Sequence, residues 1–326
     1  MSMTSPDMNM SFASAQVGFV AKYLAANWSL DPIISVPFIL IPTILYLRGL
    51  PVLLRQNQIN GEKAPGTEAK KIISFAVGMG LWALAFLSPI LFWSMVYLWV
   101  HMLFHVMVMI AAPPLLAGSR PWHVMKAGVP QSLRGLTERI GASLTGDGLT
   151  GSAVRVITNP WLDFAYFNVV MWLWFVPKMM TYGVDNKYVM DIMHLSFITA
   201  GFLLFFHLVD SPPYPSRIPN PIVRLGVILG CTYSSWALAM ILGLTHHPWF
   251  AVYSHIPSKT LSPMADQQIG ASILWVLCME PFVYTAYYNI YLWLNMSEKG
   301  TFRDNALPWI KRVRRGPAYS AAEPED

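Results

Sequence analysis

Long apolar runs separated by shorter polar connections dominate this chain. Seven of them, at roughly 31–50, 71–92, 95–117, 160–180, 188–209, 221–245 and 269–294, are almost continuously hydrophobic. Each meets the ~20 residues that a helix needs to cross a bilayer. A transmembrane β-barrel would instead show weakly alternating segments of ~10 residues. The pattern predicts an all-α fold, a polytopic membrane helical bundle with about seven transmembrane helices. Asp31-Pro32 and Asn159-Pro160 each place a capping side chain before a proline at the first helical position. Trp28, Trp93, Trp161, Trp249 and Trp293 fall near span ends, where aromatic belts sit.

Composition agrees with this pattern. The 326 residues are 55% hydrophobic and 12% charged, about half the ~25% charged content of soluble domains. The net charge of +5 is spread over the connections, which reads as topology signal and attraction to anionic lipid, with no nucleic-acid partner. Counting alternate connections leaves Lys22, Lys178, Lys187 and Lys259 on one side and the rest of the 22 Lys and Arg residues on the other. The positive-inside rule then predicts an external N-terminus and a cytoplasmic C-terminus. Domain organisation follows: an external segment at 1–30, one membrane domain at 31–296 and a cytoplasmic tail at 297–326. No signal peptide is expected, because Met1–Asn27 lacks a basic start followed by a compact apolar core and a small-residue cleavage site. Phe12–Trp28 reads as a short interfacial helix and Gln131–Ile140 as an amphipathic one. Gly141–Ser152 reads as a flexible stretch and Arg312–Asp326 as a disordered one.

Histidine is costly in hydrocarbon, so imidazoles in apolar runs are candidates for function. His101 and His105 are four apart and therefore share one helix face, which Met109 continues. His101 is predicted ~10 Å and His105 ~16 Å below the external end of the third span, with His194 at a depth similar to His101 on the fifth. Met190 and Asp191 lie one turn before His194, where a carboxylate orients or balances an imidazole. His246, His247, His255 and Asp266 fall at the same external end. His255 is expected to be a loop residue, and His123 and His207, at the other side, packing residues. A His/Met/carboxylate set suits copper best, since thioethers favour Cu(I) and imidazole binds either state; zinc remains open. Met1, Met3, Met8 and Met10 would make a copper-collecting arm. Cys231 and Cys278 read as small buried hydrophobes, with a soft-metal relay as the alternative. Glu280, deep in the last span, is expected to be protonated, hydrogen-bonded or facing a polar cavity.

Three ordered motifs resemble those of a known family. His101-Met102-Leu103-Phe104-His105 with Ala112-Pro113-Pro114-Leu115-Leu116, His194-Leu195 with Gly201-Phe202-Leu203-Leu204, and Asp266-Gln267-Gln268-Ile269-Gly270 with Leu274-Trp275-Val276 are similar to the signatures of the CtaG family. Leu277-Cys278-Met279-Glu280-Pro281 departs from the family's Pro-Gly after Trp-Val, and Phe206-His207 from its more familiar tryptophan. The resemblance covers roughly residues 28–296. It implies a non-enzymatic bacterial plasma-membrane protein that assists cytochrome c oxidase assembly, with oxidase subunits and external copper donors as partners. It implies functional roles for His101, His105, His194 and Asp266, with Gln267 and Gln268 in the motif. The expected function is a copper chaperone in the outer half of the bundle. His101, His105 and His194 are its expected ligands, Asp266 and His246 entry or charge-balancing groups, and Met109 and Met190 soft relay positions. A haem-binding membrane redox protein and a copper or ion permease are the alternatives.

Overall fold

The computed structural model describes residue 28 and residues 31–135, 137–138, 159–209, 211, 220–254 and 261–298. The sequence patterning accounts for most helix starts. Asp31 accepts the Ile33 N–H at 3.0 Å to open α1 (Pro32–Asn60), and Gly61, at φ 72°, closes it in the left-handed conformation glycine tolerates. After α2 (Ala69–Leu87), a short helix α3 (Ile90–Ser94) precedes α4 (Leu98–Gly118) and α5 (Pro121–Gly128). Asn159 caps α6 (Pro160–Trp174) by accepting the Trp161 N–H, and α7 (Pro177–Asp185) and α8 (Lys187–Val209) follow. Asn220 caps α9 (Pro221–Leu244) in the same way, before α10 (Ala251–Ser254) and the long α11 (Pro263–Glu298).

Six helices among the described residues are long and apolar enough to span a membrane, so the chain is a polytopic helical bundle. The predicted fourth span, 160–180, is two helices. Pro177 holds Val176 in an extended conformation, φ −65° and ψ 125°, as the residue before proline prefers. The 15 residues of α6 reach ~22 Å, short of the ~30 Å hydrocarbon core. The predicted third span, 95–117, starts later, because extended Tyr97 separates α3 from α4. The first span continues past residue 50 to Asn60, where polar residues end the apolar run but not the helix. The last begins at Pro263, ahead of 269. Of Gln131–Ile140, residues 131–135, 137 and 138 are helical. Phe12–Asn27, Gly141–Ser152, Arg312–Asp326, the N-terminal methionines and His255 lie outside the described residues.

Helix α4 is the axis of the bundle, its apolar window 83% buried, and it packs against α2, α8 and α11. Its middle, Val106–Ala111, is a π-helical turn that leads into Pro113-Pro114. Prolines donate no backbone hydrogen bond, which leaves carbonyls free one turn earlier. Trp82 Nε1 donates to one of these, Val108 O, at 3.1 Å, and Ser74 Oγ donates to Leu115 O at 2.7 Å. Gly201 brings α8 so close that a Cβ there would strike the Met109 carbonyl and the Pro113 ring. Outward rows such as Ile44 and Leu47 on α1, Leu229 and Tyr233 on α9, and Val276 and Tyr284 on α11 are exposed and present the bundle's apolar surface to lipid.

At the Lys/Arg-poor end, Lys187 Nζ bonds Asp31 at 2.7 Å and Asp191 at 3.1 Å, tying the start of α1 to the start of α8. Burial opposes the Asp31 charge, but the Lys187 ammonium and the Ile33 amide outweigh it and hold this carboxyl below its ordinary value. Asp191 was expected to serve His194; it serves Lys187 instead, because the ammonium one turn away is the stronger partner. Of the alternatives for Glu280, the internal cavity is excluded, because the residue is exposed on the outer face of α11.

Candidate functional site

The break at Tyr97 leaves the first N–H groups of α4 without helical partners. A residue from the other end of the chain supplies them. Asp266, in the first turn of α11 and fully buried, accepts the Leu98 N–H through Oδ2 and the Trp99 N–H through Oδ1, both at 2.9 Å. A carboxylate at a helix N-terminus is favourable for the helix dipole as well as for the orphan donors. Its neighbour Gln267 holds the adjacent loop. Gln267 Oε1 accepts the Trp249 N–H at 2.7 Å, and Nε2 donates to Leu242 O at 3.0 Å and Thr245 Oγ1 at 2.9 Å. Gln268 is exposed. Asp266 and Gln267 therefore form a clamp that joins α4, α9 and α11. Both Asp266 oxygens thus serve the start of α4.

One turn into α4, His101 is fully buried. Its Nδ1 lies 3.2 Å from Ser94 O and 2.9 Å from Tyr253 Oη, and the Tyr253 hydroxyl donates to Ser94 O at 3.0 Å. A carbonyl only accepts, so the arrangement that satisfies all three groups puts the proton on Nδ1. Burial, followed by the charge of Asp266, pushes the Tyr253 phenol well above its usual value and keeps that hydroxyl a donor. The lone pair of His101 is then on Nε2, a buried atom without a hydrogen-bond partner. A histidine whose other nitrogen is fixed by a carbonyl or hydroxyl is the form that metals bind. Tyr253→Phe is expected to release this ring and, if the chain takes up Cu(I), to weaken that uptake by about tenfold, measured by competition with a chromophoric Cu(I) chelator.

The helical spacing brings His105 against His101, with ring centroids 4.3 Å apart in an edge-to-face arrangement. His105 is 3% exposed, and neither of its ring nitrogens has a hydrogen-bond partner. His194 is 2% exposed and its Nε2 is also without a partner. Spans α4 and α8 do meet here, each imidazole against an aromatic ring of the other helix. His194 lies 4.6 Å from the Phe104 ring centroid and His105 lies 4.2 Å from that of Phe197. His194 also packs edge-on against Phe86 of α2, with centroids 5.6 Å apart. Among the described residues no group of three or more His, Cys, Asp or Glu side chains is disposed to hold a metal ion. The structure thus brings together His101 and His105, with His194 on the neighbouring helix against Phe104.

The other predicted positions divide by burial. Met109 and Met190 are buried, Met109 beside His105 in the lining of one small internal cavity. His246 and His247 are exposed on the loop that Gln267 fastens. Sequence reasoning missed Tyr253, a loop residue with no helical register to place it. His207 is buried, in keeping with a packing residue, and the partner that sequence reasoning did not single out is buried Asp163, 3.0 Å from His207 Nε2 at the other end of α8. A carboxylate in the first turn of an apolar span, such as Asp163, was the available signal.

A family model described as "cytochrome c oxidase caa3 assembly factor (Caa3_CtaG)" matches residues 44–296, a range that holds all three motifs and both ends of the clamp. No curated protein and no solved structure matches the chain. The chain belongs to the cytochrome c oxidase caa3 assembly factor family.

Proposed function

We propose that this assembly factor handles copper as cargo, holding Cu(I) at the His101–His105 pair and releasing it by ligand exchange to a cytochrome c oxidase subunit. The observation that supports this reading is a set of four ring nitrogens, on His101, His105 and His194, buried in an apolar bundle without hydrogen-bond partners. Leaving a buried polar atom unpaired costs about 1–3 kcal/mol, so a cluster of them calls for a partner outside the protein. Imidazole suits copper, and thioethers select the cuprous state; Met109, one turn further along α4, provides one. Asp266 and Tyr253 position His101, the first by fixing the helix start and the second by fixing the tautomer. The Lys/Arg-poor end carries the pair, which by the positive-inside rule faces the outside of a bacterial plasma membrane. Exposed His246 and His247 lie on the loop above it, placed to meet an external copper donor. Haem fits less well, since the cavity beside His105 measures about 20 Å³, far below the volume of a porphyrin.

Anaerobic titration of the purified full-length protein with Cu(I) tests this reading. The wild type is expected to bind tightly and the His101→Ala/His105→Ala variant to lose that binding. Equal stoichiometry in the two proteins would sink the proposal.

A further inference from the structure

Beside His105, the interior of the bundle holds a small space of about 20 Å³, enough for one water-sized or ion-sized guest. Its lining combines donors from four helices: His105 and Met109 from α4, Met171 from α6, Ser235 from α9 and Cys278 from α11. The remaining walls are hydrocarbon side chains and two phenylalanines. Cys278 is 2% exposed and reduced, Met171 is 5% exposed, and His105 brings two unpartnered ring nitrogens. The Ser235 hydroxyl lies within donating distance of the Cys231 carbonyl, 2.9 Å, and of Met171 Sδ, 3.3 Å, and its single proton serves one of them at a time. A void this size among apolar groups alone would be a packing defect. One lined by an imidazole, two thioethers and a thiol has the donor chemistry of a soft monovalent cation.

We infer that this cavity is a second, deeper holding site for Cu(I), with Cys278, Met171 and Met109 as its sulfur ligands and His105 shared with the outer pair. The inference rests on the copper reading above and extends it inward, past the histidines. Binding exchanges one charge for another. The Cys278 S–H bond breaks, an S–Cu bond forms and the proton leaves to water, with no change in the oxidation state of copper or sulfur. The cuprous thiolate is neutral, so the metal rests in an apolar interior without the penalty a bare cation would meet. Soft thiolate and thioether donors select Cu(I) over harder ions, so this site would discriminate where imidazoles alone cannot. His105, reached from both sides, is the group through which the ion passes from pair to cavity.

X-ray absorption at the copper edge, on the full-length protein loaded anaerobically with Cu(I), reads the ligand type directly. Wild-type protein is expected to show sulfur neighbours beside imidazole nitrogen, and Cys278→Ser/Met171→Leu/Met109→Leu to lose them and bind Cu(I) at least about tenfold more weakly. Cys231→Ser, on a buried thiol that does not line the cavity, is the control and is expected to match wild type. Thermal unfolding of each variant monitors the fold. Copper surrounded by nitrogen and oxygen alone in the wild type would overturn the inner site while leaving the histidine pair standing. Sulfur neighbours that persist in the triple variant would also overturn it. Wild-type protein that takes up no Cu(I) would remove both readings.

Discussion

Asp266→Ala is expected to lower the thermal unfolding midpoint of the detergent-solubilised protein by a wide margin and, on the copper reading proposed above, to degrade Cu(I) capture at the same time. The substitution removes the acceptor of the Leu98 and Trp99 N–H groups at the buried start of α4. Each unsatisfied buried donor costs about 1–3 kcal/mol, and the charge of the lost partner places the sum at about 2–5 kcal/mol. His101 lies one turn along the same helix, so fraying there moves the imidazole away from Ser94 O and Tyr253. Asp266→Asn retains one acceptor and is expected to fall between alanine and wild type in stability while keeping the copper stoichiometry. That split separates a positioning residue from a ligand. An alanine variant with the wild-type midpoint would contradict the clamp, and an asparagine variant that folds but binds no copper would make Asp266 a ligand.

The second large effect is expected at Gly201. A leucine there cannot coexist with the Met109 carbonyl and the Pro113 ring in their present positions, so α8 must move away from α4. Overpacking of side chains costs about 1–3 kcal/mol, and a collision with backbone, which has no rotamer to yield, lies at or above the top of that range. Small residues at helix crossings matter in membranes because close backbone approach is a main source of association there. Gly201→Leu is expected to yield little monodisperse protein on size-exclusion chromatography, and Gly201→Ala to shift in the same direction to a smaller extent. Wild-type behaviour of the alanine variant would show that the two helices have slack at this crossing. Gly49 and Gly128, where α1 and α5 meet backbone to backbone, are built on the same physics.

Local periodicity made the bundle legible in the sequence, because an apolar run long enough to cross a bilayer has few alternative structures. The same locality exposed the His101–His105 pair, whose spacing alone puts both rings on one face. Whatever depends on two distant segments stayed hidden. Nothing near Asp266 announces that it caps a helix begun 168 positions earlier, and nothing near Tyr253 ties it to His101. Asp191 shows the limit from the other side: its spacing from His194 was real, but Lys187 competed for the carboxylate and won. The interruption at Val176 was readable from Pro177, yet hydropathy ran on across it and masked the break. The cavity beside His105 draws one or two residues from each of several helices, a juxtaposition that no single stretch encodes.

The π-helical turn at Val106–Ala111 has a geometric consequence for how the two halves of α4 are aimed. Such a turn amounts to one surplus residue in an α-helix, and each residue advances the azimuth by ~100°. Upstream of the turn, the imidazoles face Tyr253 and the α8 aromatics. Downstream, the double proline is set against Gly201 and Leu115 O against Ser74. A strictly α-helical segment of the same composition less one residue would swing one half out of phase with the other. The surplus residue works as a phase shifter, letting a single rod present its chemistry to one set of neighbours and its close-packed seam to another.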